Sequence, residues 1–341
     1  MALVYSSLFQ EPCGGVGGSD MPIYDVFNGD ADGICALIQL RLAEPAQTTL
    51  VTGVKRDIAL AQRVPASEPV QVNILDISLD KNREAVDRLL AAGCEVFYCD
   101  HHFAGETLPD HPHFTALIDT QPTICTSLLI DKHLGGRFHN WAIAAAFGDN
   151  LNAVAEELAA KAGLSPEQAE ALQTLGVCIN YNGYGATLED LHFHPADLFR
   201  EFVTFADPLA LIASEPEAWQ RLRDGYGQDM AKGLSAPVMS ETVTSLVVQL
   251  PDEAWARRVS GVLGNELANR NPDKACAIVT DKADGSYLVS IRAPLNNRTG
   301  ADEVARQFPT GGGRKAAAGI NDLPAEQLDD FMGVMASFWN S

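Results

Sequence analysis

The sequence predicts an α/β protein. Its N-terminal part reads as a doubly wound, mainly parallel sheet with helices on both faces, joined across a cleft to a smaller C-terminal α/β domain. Three observations carry this reading. Apolar runs of strand length alternate with helix-period segments from Ile23 to Ile118, the pattern of β-α units in a parallel sheet. A mainly helical stretch follows Thr120, and a second alternating segment from Thr242 to Leu250 restarts strand character. The 341 residues suffice for two cores of ordinary size.

Residues 1–20 are glycine-rich and aperiodic, and Met21 stands just before the first convincing strand, so they are expected to be a mobile N-terminal extension. Residues 23–27 form an apolar run that predicts a buried strand, 28–33 turn, and a helix opens at Ile34. The alternation predicts strands at 49–54, 72–75, 95–99 and 116–118, with a helix at 81–92. Helices are then predicted at 125–133, 141–147, 151–162 and 166–179. The last is opened by Ser165-Pro166 with Gln168, because proline in a first helical turn lacks an amide hydrogen that would be unpaired anyway. Residues 181–186 break the helical pattern and read as a loop. Residues 192–238, with Pro208, Pro216 and Gly225, read as a connection between a domain at 21–191 and another at 239–341. Within the second domain a helix is expected at 252–269, and strands at 275–280 and 287–291 flank the hairpin signal Asp284-Gly285. Helix 301–307, a glycine-rich turn from Thr310 to Gly319 and helix 324–338 complete it.

Charge limits the partners. With 24 basic against 45 acidic residues, a net charge of −21 and no basic block, the chain is a poor fit to long nucleic acid, whose binding proteins neutralise several phosphates with Lys and Arg. A small anionic substrate stays open, since a metal or a local group of arginines can reverse the field at one cleft. The apolar runs fall short of the ~20 residues of a membrane helix, and no basic-then-apolar leader is present, so no membrane association and a cytoplasmic location are expected. The seven cysteines are odd in number and without C-x-x-C spacing, which predicts buried reduced thiols at Cys35, Cys94, Cys99, Cys178 and Cys276. A homodimer is left open.

Four stretches gather carboxylates where strands or helices give way to turns: Asn28-Gly29-Asp30-Ala31-Asp32-Gly33, Asp76, Asp100-His101-His102, and Asp149. The carboxyl ends of parallel strands are where such sheets bind ligands. Singly, Asp-Gly is usually a turn and Asp149 a helix-end residue; together with two histidines they suit a hard divalent cation that also accepts imidazole, Mn²⁺ ahead of Mg²⁺. Asp30 and Asp32 can address adjacent ions and a third carboxylate such as Asp76 can bridge them. Two ions about 3.5–4 Å apart hold an activated water and neutralise a phosphoryl group during in-line displacement. Far along the chain, Gly311, Gly312 and Gly313 let backbone amides approach an anion, and Arg314 with Lys315 adds charge, with Arg292 and Arg298 as helpers. His111, His113, His192 and His194 fit no such pattern.

The ordered series Asp-x-Asp-Gly, an isolated Asp after a strand, Asp-His-His, Gly-Asp and Gly-Gly-Gly-x-x-x-Ala-Ala-Gly resembles the DHH phosphoesterase family with its C-terminal DHH-associated domain, from about Ile23 onward. The resemblance implies two divalent metal ions held by Asp30, Asp32, Asp76, His101 and Asp149, with Asp76 bridging. It implies that His102 contacts or protonates the scissile phosphate, that Asp100 holds an imidazole in one tautomer, and that the glycine segment binds the nucleotide or its terminal phosphate. Two departures stand out. Val26 occupies a position where members often carry a ligand His, and Asn28 one where others carry Asp, so Asn28 is an open ligand. Arg314 stands where His is common, and its fork suits a phosphate. With the acidic balance, the expected activity is hydrolysis of short 5′-phosphorylated linear dinucleotides or oligoribonucleotides, such as pGpG, to mononucleotides by two-metal hydroxide attack. The alternatives are a 3′-phosphoadenosine 5′-phosphate phosphatase, a cyclic-dinucleotide phosphodiesterase, or a catalytically silent nucleotide sensor should Val26 and Asn28 cost it one metal.

Overall fold

A computed structural model describes residues 21–340, so the expectation for residues 1–20 lies outside the described residues. The first sheet uses β1 (Ile23–Phe27), β2 (Thr49–Val51), β3 (Gln71–Leu75), β4 (Glu95–Asp100) and β5 (Phe114–Ile118), with α1 (Ala31–Ala43) and α2 (Leu79–Ala91) between them. All pair in parallel in the order β2-β1-β3-β4-β5. The chain leaves β1 outward to β2 and returns to β3 on the other side, so a crevice opens at the carboxyl ends between β1 and β3.

Helices α3 (Thr126–His133), α4 (His139–Gly148), α5 (Asn152–Lys161), α6 (Pro166–Gly183), α7 (Pro195–Phe202), α8 (Pro208–Ser214) and α9 (Glu217–Leu234) follow. The period-2 geometry of a strand sends successive side chains to opposite faces. Phe27 accordingly packs with Ile34, Leu37, Trp141 and Ile179 on one face, while Val26 packs with Ile74, Val86, Leu89 and Tyr98 on the other. Helix α1 is buried on all sides from Ala31 to Arg41, which obliges its polar side chains to find partners. Gln39 Nε2 donates to Ser127 O at 3.1 Å, and Arg41 pairs with Asp25.

Several expectations shift. The segment at 192–238 is three helices whose Leu198, Phe199, Phe202, Leu211, Trp219 and Leu222 belong to the core of the first domain, so it is domain body as well as connection. Helix α6 carries on through Tyr181 to Gly183, where a loop was expected. Its start falls at Ser165-Pro166 as expected, where Ser165 and Gln168 form a capping box.

The second domain holds β6 (Val238–Glu241), β7 (Ser245–Leu250), α10 (Ala254–Arg270), β8 (Ala275–Asp281), β9 (Tyr287–Arg292), α11 (Ala301–Ala305), β10 (Gly311–Gly313), β11 (Ala317–Leu323) and α12 (Leu328–Ser337). Its mixed sheet runs β10-β11-β9-β8-β7-β6. The predicted hairpin is β8-β9, antiparallel. The glycine run is a strand paired antiparallel with β11, Gly311 opposite Ile320 and Gly313 opposite Ala318, rather than a turn. The turn falls at Arg314 and Lys315. The six cysteines among the described residues are buried and unpaired, and no helix there is long and apolar enough to cross a membrane.

Candidate metal centre

Each carboxylate arrives at the crevice by a separate local device. Asp30 caps α1, its Oδ1 accepting the Gly33 N–H at 3.0 Å. Gly33 is required here, since a Cβ would stand 2.2 Å from the Asn28 carbonyl oxygen. Within the first turn of the helix, Asp32 points at the N-terminus of α3, where Oδ2 and Oδ1 accept the N–H groups of Thr126 and Ser127, both at 2.7 Å. These are amides with no partner inside their own helix, at its positive end. Asp76, just past β3, has φ of +62°, an uncommon backbone for a residue with a Cβ. That conformation turns its carboxylate into the crevice, where Oδ1 accepts the Thr126 hydroxyl at 2.9 Å. Asp100 is the last residue of β4, and Asp149 is the C-cap of α4.

His101 links them. Its Nδ1 lies 3.0 Å from the Ile124 carbonyl oxygen, which can only accept, so Nδ1 carries the proton and Nε2 offers its lone pair. Nε2 lies 3.4 Å from Asp76 Oδ1, 3.7 Å from Asp32 Oδ2 and 4.0 Å from Asp149 Oδ2. Metal–donor bonds of about 2.1 Å put the donors of one ion roughly 3–4 Å apart, so the spacing fits a single cation with oxygen and imidazole ligands. His102 is half-exposed, and its Nδ1 sits 2.7 Å from Asp100 Oδ1. The imidazole fixed by Asp100 is thus that of His102, while the Ile124 carbonyl fixes His101. Among the described residues, two groups bring donor atoms together: Asp32 with His101 and Asp149, and Asp76 with His101 and His102. The His102 nitrogen facing Asp76 at 4.0 Å is the one already bound to Asp100, which favours the first group, completed by Asp76.

The electrostatics also call for a cation. Burial raises the Asp32 carboxyl above its usual range even though His101 pulls the other way. Burial, then Asp32, Asp30 and Asp100, push Asp76 well above it. Carboxylates this close and dry do not all ionise unaided; a divalent ion removes the penalty. Asp30 is the exception. Burial would raise it, but the charge and hydrogen bond of Lys55 outweigh burial and bring it to about 2. Lys55 Nζ is 2.5 Å from Asp30 Oδ2.

Other expected residues fall elsewhere. Asn28 Oδ1 accepts the Asp30 N–H and Nδ2 donates to the Lys55 carbonyl, each at 3.1 Å, so Asn28 shapes the turn and keeps only a second lone pair on a neutral amide oxygen to offer a metal. Arg314 and Lys315 are exposed at the β10-β11 turn, and the charge of Arg314 reaches His102. Arg292 is held by Asn265 Oδ1 at 2.7 Å and the Gly261 carbonyl at 3.3 Å. Arg298 is exposed in the loop before α11, with no side-chain partner among the described residues. Sequence reasoning passed over Lys55 and Arg56. Arg56 reaches across to Asn321 Oδ1 at 3.1 Å and Ser290 Oγ at 3.4 Å. Two adjacent cations just past a parallel strand of so acidic a chain were the available signal.

Residues 241–340 match the DHHA1 domain family. The second domain is a DHHA1 domain. No curated protein sequence matches the chain. Among solved structures, the pGpG-specific phosphodiesterase PggH from Vibrio cholerae shares the fold with TM-score 0.57 at 14% identity, over 94% of this chain and 99% of that one. RecJ from Thermus thermophilus, solved in complex with Mn²⁺, matches with TM-score 0.55 at 17% identity, over 93% of this chain and 52% of RecJ. The DHHA1 match covers the second domain, and the chain shares its two-domain fold with PggH and RecJ.

Proposed function

We propose that the chain is a divalent-metal-dependent phosphodiesterase acting on short 5′-phosphorylated linear dinucleotides or oligoribonucleotides, releasing mononucleotides. One observation carries the reading. Around a single cluster of buried carboxylates, in a chain of net charge −21, cationic side chains converge from both domains: Lys55 and Arg56 from the first, Arg292 and Arg314 from the DHHA1 domain. That is a local reversal of field suited to a substrate with more than one phosphate and short enough to lie between the domains. The fold shared with PggH, whose name gives pGpG as its substrate, supports a dinucleotide. The acidic remainder of the surface disfavours long nucleic acid and is compatible with a cytoplasmic substrate.

Asp32, Asp76, His101 and Asp149 would hold the cation, with Mn²⁺ and Mg²⁺ both compatible with the donor set. When bound, it supplies positive charge to the phosphoryl oxygens and acidifies a water. The chain's own groups do the rest. His102, its Nδ1 fixed by Asp100, keeps Nε2 for the substrate; burial pulls its proton affinity down, but the hydrogen bond and charge of Asp100 raise it above the ordinary value, as suits a donor to the leaving oxygen. Arg314 reads a phosphate at the far end. The test is a turnover panel with Mn²⁺ on pGpG, pApA, longer RNA, cyclic dinucleotides and 3′-phosphoadenosine 5′-phosphate. Mononucleotides formed from the linear dinucleotides are expected. Inorganic phosphate released from 3′-phosphoadenosine 5′-phosphate would make it a phosphatase instead, and binding without turnover a sensor.

A further inference from the structure

Lys55 is built into the crevice more firmly than a surface lysine. Its N–H donates to the Gly183 carbonyl at 2.8 Å and its carbonyl accepts from Asn28 Nδ2 at 3.1 Å, so its backbone is tied to both the first turn and the end of α6. Its side chain crosses the Tyr184 ring with Nζ 5.4 Å from the centroid. Nζ then meets Asp30 Oδ2 at 2.5 Å and Asn180 Oδ1 at 3.4 Å. An ammonium has three N–H donors, and the third has no partner among the described residues.

On this side of the crevice the donors for a second metal ion are sparse. Asp30 Oδ1 caps α1 and Oδ2 faces Lys55. Asn28 offers only a neutral amide oxygen that already accepts the Asp30 N–H, where a carboxylate would bring charge. Val26 is apolar and fully buried against α2. Both groups of converging donor atoms among the described residues are centred on His101, and neither contains Asp30. The ammonium therefore stands where a second cation would have to bind Asp30, and repulsion from it adds to the sparse ligand set.

We propose that this chain takes one divalent cation, on Asp32, Asp76, His101 and Asp149, and that the Lys55 ammonium is the second positive charge, presenting its free N–H to a phosphoryl oxygen of the substrate. This rests on the reading of the cluster as a metal site for phosphoryl chemistry and replaces the two-ion arrangement expected from sequence. A fixed ammonium 2.5 Å from a carboxylate can stabilise charge on a phosphoryl oxygen, though it cannot activate a water.

The deciding measurement is the count of Mn²⁺ bound per chain, by titration of the purified full chain followed by electron paramagnetic resonance, with the metal content checked after dialysis. One isolated Mn²⁺ per chain is expected. Two per chain, or the spectrum of a spin-coupled pair, would overturn the one-ion proposal while leaving the metal-site reading intact; no bound Mn²⁺ would overturn both. Lys55→Met then tests the ammonium. We expect kcat to fall at least 100-fold while the Mn²⁺ affinity stays within threefold, and Lys55→Arg to recover part of the loss. Turnover by Lys55→Met within threefold of the parent would remove Lys55 from the chemistry, and the metal count on the parent chain decides the ion number even should the variant fail to fold.

Discussion

Strand β1 leads to two buried carboxylate environments, and they are neutralised in opposite ways. In the middle of the strand Asp25 is fully buried, forked by Arg41 through two hydrogen bonds of 2.8 Å and given a third of 2.8 Å by Asn73 Nδ2. Its charge is matched by the protein itself. Beyond the end of the strand, Asp32, Asp76 and Asp149 gather around one imidazole nitrogen with no Arg or Lys among the described residues bonded to them; of the carboxylates there, Asp30 has a cation among those residues, Lys55. A buried charge needs a partner. Where the chain supplies it, the site is structural; where it does not, the partner comes from solution.

The largest effect should come from removing the unmatched side. Asp76→Ala and His101→Ala are each expected to cut hydrolysis by roughly 10³-fold or more with the circular dichroism unchanged. Saturating Mn²⁺ should raise the Tm of the parent chain, a cation at 100 times its Kd contributing about 2.7 kcal/mol, and His101→Ala should lose that rise. Full activity in either variant would falsify the site.

The matched side should respond in stability instead. Arg41→Ala strands Asp25 in the core and is expected to cost about 3–5 kcal/mol in chemical denaturation, while Asp25→Leu combined with Arg41→Met should recover much of it, as replacing a whole buried pair by apolar groups does. Activity per folded molecule should hardly move. If Arg41→Ala left stability untouched, the contrast between the two ends would fail.

The two environments also differ in how far the sequence revealed them. Asp30, Asp32, Asp76, Asp100 and Asp149 could be read because each sits where a local pattern ends, and an element's end fixes where its next side chain points. For Lys55 the sequence offered only a cation just past a strand: its place depends on Gly183 and Asn28, contacts made only after folding. The same division runs through the fold. Apolar runs revealed the parallel strands, but Gly311 to Gly313 carry no side chains to mark a strand and become one by pairing with β11. The helices between 195 and 234 were expected as a connection because Leu198, Phe202 and Leu211 look the same whichever core they join.

Within the site, His102→Gln should lower kcat by about 10²- to 10⁴-fold, the usual range for a proton donor, with Mn²⁺ affinity unchanged because the donor nitrogens of the cluster remain. A parallel loss of metal would instead make His102 a ligand in the Asp76 group. Arg314→Ala should be milder. A charge-assisted hydrogen bond is worth about 1.5–3 kcal/mol, so KM should rise by roughly ten- to a hundredfold with kcat and metal binding little changed; an unchanged KM would remove Arg314 from substrate binding.

The smallest effect concerns the joint between the domains. There Tyr181 bonds Asp229, His192 Nε2 lies 2.7 Å from the Tyr181 hydroxyl, and Arg258 of α10 donates to Asp229 at 2.9 Å and to the Asp190 carbonyl at 2.9 Å. Burial, then the charge of Arg258, lowers the His192 pKa from 6.5 to about 4. The folded chain therefore resists a proton that the unfolded chain accepts below about pH 6.5, so unfolding is favoured as pH falls from there toward about 4. Thermal unfolding across that window should show Tm declining with acid, and His192→Gln, which takes up no proton in either state, should flatten part of the decline. Groups outside the joint titrate alike in parent and variant, so an identical slope in both between pH 6.5 and 5 would mean that the joint does not sense the proton. His192→Gln should not alter Mn²⁺ binding at pH 7, because the joint, like Asp25 with Arg41, has its charges matched from within the chain.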